Sequence, residues 1–277
     1  MAFTDHTRIV DALLASVLAA GREQLGHRAS GPVVARKADA SPVTAADERS
    51  EAIILAAIAR AMPGVAVVAE EAMSRGEAPS LGATFFLVDP IDGTREYIAG
   101  SDDFCINIAL VEDARPVLGI IYAPAKRWLC VTAGERAAVE ADVDAGARAA
   151  RIGDLATRPL HTRRPQPDAL VAIASRSDRD PRIETFLTAL GVAERRSIGS
   201  ALKFCVLARG EADVYPRFGR INEWDTAAGH AILAAAGGCV TAADGRDLAY
   251  GKASEGYRNP AFVAWGSRAL VRPFDPG

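Results

Sequence analysis

FFLVDPIDGTREYIAGSDDFCINIALVED, residues 85–113, is an apolar run that breaks at two aspartates three residues apart, with Pro90 between them and Gly93 and Thr94 behind. Residues 85–88 have the length and composition of a buried strand. Pro90 has no N–H to give to a sheet ladder, so the strand is expected to stop at Asp89 and leave both carboxylates on a loop at its end. Two carboxylates that close on a tight loop repel each other unless positive charge lies between them. A hard divalent cation meets that need through oxygen ligands. The Ile91 carbonyl is a further candidate ligand, because Pro90 turns the backbone outward and Gly93 permits an unusual dihedral. An Asx-type turn with two solvated aspartates fits these few residues equally well, and only further carboxylates decide between the two.

Two more carboxylates lie elsewhere in the chain. Glu70 ends the strand-like run VAVVAE and is expected beside Asp89 at the same sheet edge, although alone it reads as a surface glutamate. Asp225, in NEWDTAAGH, stands where an apolar helix begins and would serve there as a simple N-cap. Together Glu70, Asp89, Asp92 and Asp225 would hold two cations about 4 Å apart, the spacing of a two-metal phosphoryl-transfer site. The helix after Asp225 would then turn its positive end toward a phosphate. Thr44 reads as an N-cap with Asp47 three residues on, so Asp47 suits the N3 place of a capping box. It suits equally a carboxylate that holds the Thr94 hydroxyl, which can then take a proton from an activated water.

The rest of the chain limits the choice of function. With 277 residues, 49% of them apolar, and a net charge of only −3 from 32 basic and 35 acidic side chains, it has the composition of a soluble globular protein. No basic stripe points to a nucleic acid polymer. Cys105, Cys130, Cys205 and Cys239 stand singly in apolar runs and read as reduced core residues. The four histidines lack zinc-site spacing, and His230 reads as a packed helix residue. Arg163, Arg164, Arg195 and Arg196 read as solvated charge. The apolar stretch 12–20 is too short to span a bilayer, which leaves a cytoplasmic location as the expectation.

Helical periodicity covers Ile9, Val10, Leu13, Leu14, Val17 and Leu18, then Ile53, Ile54, Ala57 and Ile58. Strand-like runs follow, the pair around Ala114 and Arg115 reading as an antiparallel hairpin. A polar stretch at 138–168 marks the expected boundary between an α+β half, residues 1–150, and an α/β half, residues 151–277. In the second half LVAIAS reads as a strand, Asp180-Pro181 as a helix start, RRSIGS as a turn, and ALKFCVLARG and DTAAGHAILAAAGG as helices ended by glycine.

VAEE followed by VDPIDGTREYIAG and later EWDTAAGHAILAAAGG resembles the magnesium-dependent, lithium-sensitive inositol monophosphatase superfamily. KADASPVTAAD, FCINIALVED, ASRSD, SIGSALKFCVLARGEADVYPRFG and GYRNPAF resemble in particular its CysQ-type 3'(2'),5'-bisphosphate nucleotidases, through nearly the whole chain. The resemblance implies an α/β fold of the sugar-phosphatase type, a layered α/β/α/β/α sandwich. It implies Glu70, Asp89, the Ile91 carbonyl, Asp92 and Asp225 as ligands of two or three Mg2+ ions, and Thr94, oriented by Asp47, as the group that positions and deprotonates the attacking water. It implies a substrate pocket of Gly93, Thr94, Ser175, Ser177, Gly199, Ser200, Lys203, Arg217 and Asp225. The implied reaction is hydrolysis of adenosine 3',5'-bisphosphate to AMP and phosphate, with a role in sulfur assimilation. The expected assembly is a monomer or homodimer with no integral membrane segment, whether free in the cytoplasm or peripheral on the inner membrane. One departure stands out: Asp178 occupies the position where the related enzymes carry histidine, and a carboxylate there repels a phosphate unless Arg176 or Arg179 balances it. The alternatives are an inositol monophosphatase or sugar bisphosphatase of the same superfamily, and, from another class, a catalytically silent metal- and nucleotide-binding sensor.

Overall fold

The structure is a computed structural model that describes residues 6–31, 34–37, 42–134, 136–174 and 180–275. Helix α1 (His6–Ala29) and helix α2 (Ala45–Ala61) are joined by a short antiparallel hairpin, β1 (Val34–Arg36) with β2 (Pro42–Thr44). The apolar faces legible in the sequence are the buried ones: Val10, Leu13, Leu14, Val17 and Leu18 of α1 meet Ile54, Ala57 and Ile58 of α2. Each such Leu or Ile contributes about 1.5–3 kcal/mol on full burial, enough to fix both helices on the sheet beneath. Thr44 caps α2 as expected, accepting from the Ala46 N–H, while Asp47 reaches back to the Thr44 N–H to complete a capping box.

That sheet has seven strands in chain order: β3 (Ala66–Ala69), β4 (Thr84–Asp92), β5 (Cys105–Glu112), β6 (Arg115–Ala123), β7 (Trp128–Thr132), β8 (Ala138–Asp142) and β9 (Thr157–Leu160). Only β3 and β4 run parallel, so the mostly antiparallel reading holds. Strands β8 and β9 lie within the polar stretch at 138–168 and carry the first sheet to residue 160. The second sheet follows with β10 (Leu170–Ala174), β11 (Val192–Ser197) and β12 (Val214–Arg217). Beyond a ribbon strand β13 (Ile221–Asn222) come β14 (Cys239–Ala242), the ribbon partner β15 (Arg258–Asn259), and β16 (Phe262–Trp265). Its order is β11-β10-β12-β16-β14. The expected turn at RRSIGS is a correction, since residues 195–197 finish β11, pairing in parallel with β10.

Helices α6 (Leu202–Ala208) and α7 (Ala227–Ala235) fill the space between the two sheets, and α5 (Pro181–Leu190) covers the outer face of the second. The layers are therefore α/β/α/β/α. The middle layer is tight because Gly119 of β6 has no side chain: a Cβ there would lie 2.3 Å from the Ala228 carbonyl oxygen of α7. All four cysteines are free and buried, and His230 is packed within α7 with Nδ1 3.1 Å from the Tyr250 hydroxyl. Among the described residues no helix is long and apolar enough to cross a membrane.

Candidate active site

Strand β4 does not end at Asp89, as its sequence suggested. It continues to Asp92, which pairs with Cys105, and the ladder with β5 shifts register between Asp89 and Asp92. Pro90 and Ile91 together oppose the single residue Ile106, so the missing proline N–H falls in a bulge where no ladder bond is required. The Asp89 carboxylate instead accepts the Ile91 N–H at 2.9 Å. Just past the bulge, Gly93 takes φ 94°, and a Cβ on it would sit 2.9 Å from the Asp103 carbonyl oxygen, so both dihedral and space call for glycine. The short helix α4 (Thr94–Ile98) starts there and points Thr94 back across the turn.

Glu70 opens the short helix α3 (Glu70–Ser74) and does not end β3, a one-residue correction that leaves it beside Asp89. Glu70, Asp89 and Asp225 each bring a carboxylate oxygen within 4.8 Å of the others. Asp225 lies in the turn just before α7, its Oδ2 accepting the Asn222 N–H at 3.1 Å. Asp92 stands next to this triple, facing the same cleft as Asp225. Its Oδ2 accepts the Ala201 N–H and lies 3.3 Å from Asn107 Nδ2. The Ile91 carbonyl accepts from Thr94 Oγ1 at 3.1 Å, and Asp47 Oδ1 lies 3.4 Å from the same hydroxyl. Asp47 thus touches both Thr44 and Thr94, so its two uses coexist in one geometry.

The electrostatics separate this cluster from ordinary surface acid. Burial pushes Asp89 well above the usual carboxylate range, and Glu70, Asp92 and Asp225 add like-charge repulsion. Asp225 is raised in the same way, by burial and then by Asp92 and Glu70. Burial lifts Asp92 to about 6 even though Lys203, the Ala201 N–H and Asn107 favour its charged form. Oxygen-only donors, half-buried and mutually repelling, fit a hard divalent cation.

Lys37 is the one described cation in contact with Glu70: its Nζ lies 2.5 Å from Glu70 and 2.7 Å from Glu71. Burial opposes its charge, but the two carboxylates outweigh that and hold it above the ordinary lysine range. Glu71, raised by burial to about 7 despite Lys37, was missed in the sequence. Both contacts are long-range in sequence, so no local pattern announces them.

A cleft of about 470 Å³ opens from Asp92, Gly93 and Asp225. Ser200, Lys203 and Arg217 line it. Lys203 is buried, its Nζ donating to the Ser200 carbonyl at 2.6 Å and lying 5.3 Å from the centre of the Tyr215 ring. Burial, with Arg217 beside it, lowers its pKa. Gly199 sits behind the cleft, its N–H donating to Asp103 at 3.1 Å. Ser175, Ser177 and Asp178, with the neighbouring Arg176 and Arg179, lie outside the described residues. Arg163 corrects its solvated reading: it holds the buried Asp213 at 2.5 Å.

A bulged strand end carrying clustered carboxylates, in a five-layer sandwich, is the frame of a metal-assisted phosphatase. The sequence matches the inositol monophosphatase family over residues 6–268, and the chain belongs to that family. Its relatives include the 3'(2'),5'-bisphosphate nucleotidase CysQ of Salmonella typhimurium, 40% identical over 228 residues that cover 82% of this chain and 87% of that one. The Escherichia coli K12 protein of the same name is 39% identical over 83% of this chain and 87% of its own. In structure the chain resembles CysQ from Bacteroides thetaiotaomicron, with a TM-score of 0.77 at 35% identity, over 94% of this chain and 97% of that one.

Proposed function

We infer that the chain is a phosphomonoester hydrolase, a 3'(2'),5'-bisphosphate nucleotidase that converts adenosine 3',5'-bisphosphate to AMP and phosphate. The convergence of Glu70, Asp89 and Asp225 within 4.8 Å carries the metal-dependent part of the reading. Similarity to the named nucleotidases over most of the chain supports the substrate. Glu70, Asp89, Asp92, Asp225 and the Ile91 carbonyl would hold Mg2+, which supplies Lewis-acid polarisation of the phosphoryl group and neutralises its charge.

The chain's own groups do the rest. Thr94, its hydroxyl shared between Asp47 and the Ile91 carbonyl, takes a proton from the attacking water on its oxygen lone pair while its own proton passes to Asp47. Asp47 thereby sets the direction of that hydroxyl and ends the relay as a neutral carboxyl group. Lys203 and Arg217 place positive charge along the cleft, where the remaining oxygens of the substrate lie. Lithium competes for the same oxygens in this reading and inhibits.

Phosphate release from adenosine 3',5'-bisphosphate, inositol 1-phosphate and fructose 1,6-bisphosphate, with magnesium, with chelator and with lithium, is the test. Magnesium-dependent preference for the nucleotide is expected. Preference for the inositol or sugar phosphate would keep the acidic centre and overturn the substrate, and no release from any would favour a binding protein without turnover.

A further inference from the structure

The two-stranded ribbon β13–β15 joins the acidic centre to the outer end of the cleft. Its register pairs Ile221 with Asn259 and Asn222 with Arg258. Arg258 stands directly across from Asn222, and Arg220 immediately precedes β13. Arg220 and Arg258 both line the cleft. Both also line a second, adjoining cleft of about 430 Å³, so they form the wall between the two.

Like charges lining one wall of a cleft repel, and an intervening carboxylate usually relieves them. None does so here: among the described residues neither guanidinium has a hydrogen bond or ion pair. Several other exposed arginines do meet a neighbouring acid, among them Arg127 with Asp142, Arg246 with Asp244 and Arg268 with Asp247. The inner cation of the cleft is differently placed. Lys203 is buried, bonded to the Ser200 carbonyl and close to Asp92, so it serves the end where the bond is cut. The outer cleft contains Glu255, which disfavours an anion deeper in it and puts the favourable position at the arginines themselves.

We propose that Arg220 and Arg258 form the subsite for the second acid group of the substrate, so that the chain selects phosphomonoesters carrying two separated acid groups over those carrying one. This assignment rests on the nucleotidase reading and moves the second phosphate outward from Lys203 and Arg217. Two planar guanidinium forks on one cleft wall grip a tetrahedral acid group by paired N–H donors, which a point charge cannot reproduce. Because the same ribbon bonds Asp225 through the Asn222 N–H, the distance from this subsite to the acidic centre is fixed by backbone.

The experiment is the ratio of kcat/KM for adenosine 3',5'-bisphosphate to kcat/KM for adenosine 3'-phosphate, measured with magnesium on the full chain. It is measured for wild type, Arg220→Ala, Arg258→Ala and the double variant, with melting temperatures to establish that each is folded. The ratio is expected to fall roughly tenfold for each single change and about a hundredfold for the double, mainly through KM for the bisphosphate. Arg220→Lys keeps the charge but not the fork and should fall between. Wild-type ratios in folded variants, or equal losses on both substrates, overturn the subsite alone. A wild type that leaves the bisphosphate intact overturns the nucleotidase reading and the subsite with it.

Discussion

Asp213, just before β12, and Asp89, at the bulge of β4, are each only 1% exposed, yet their surroundings are opposite. Asp213 receives both Nη2 and Nε of Arg163, at 2.5 and 3.0 Å, and the Val171 N–H at 2.7 Å. Asp89 has one backbone donor and otherwise faces Glu70, Asp92 and Asp225. Glu223, fully buried, follows the first pattern, satisfied by the N–H groups of Gly251 and Lys252 and by the Lys252 ammonium. A buried carboxylate whose partners are supplied by the chain locks two segments together. One whose neighbours are mostly carboxylates holds its charge at a cost that a bound cation relieves, and so marks a binding place.

The contrast breaks most visibly at Asp92. Asp92→Asn removes a charge that the proposed reaction uses but relieves repulsion in the fold. Its kcat/KM should fall on the order of 10³-fold, the scale of losing several kcal/mol of transition-state charge stabilisation. Melting should be unchanged or raised, and an active variant would remove Asp92 from the centre. At the structural acid the signs reverse. Asp213→Ala strands Arg163 against the Val171 corner and should cost about 3 kcal/mol in urea unfolding, with turnover per folded molecule retained. A silent Asp213→Ala would dissolve the distinction.

A smaller effect comes from the wall behind Asp225, where burial lowers His230 to about 4. The unfolded chain binds a proton at His230 below its ordinary pKa near 6.5, and the folded chain does not until about pH 4. Stability from this group is therefore present above pH 6.5 and is lost as pH falls toward 4. Between pH 7.5 and 5 the loss should be about 2 kcal/mol. Comparing unfolding of the wild type with His230→Asn over that range isolates it, and identical pH slopes would refute it.

What the sequence made legible follows the range of the interactions. The Thr44–Asp47 box, the faces of α1 and α2 and the Asp180-Pro181 helix start are local and were readable from spacing. The order of the layers came through family resemblance, since element order does not dictate how sheets stack. The bulge at Pro90 was hidden because proline reads as a strand end, whereas a register shift lets the strand continue. Arg163 looked solvated because its partner lies 50 residues away. Arg220 and Arg258 are 38 residues apart and carry no local pattern, since only the fold brings them to one cleft.

The central claim is that the crowding of Glu70, Asp89, Asp92 and Asp225 is relieved by a bound cation. Melting temperatures of the wild type and Asp89→Asn, each with magnesium and with chelator, test it most directly. The account predicts that magnesium raises the wild-type melting temperature, and that Asp89→Asn melts higher than wild type in chelator but loses most of the magnesium response. A wild type indifferent to magnesium, or an Asp89→Asn variant that is destabilised in chelator and still responds fully to the ion, would contradict it.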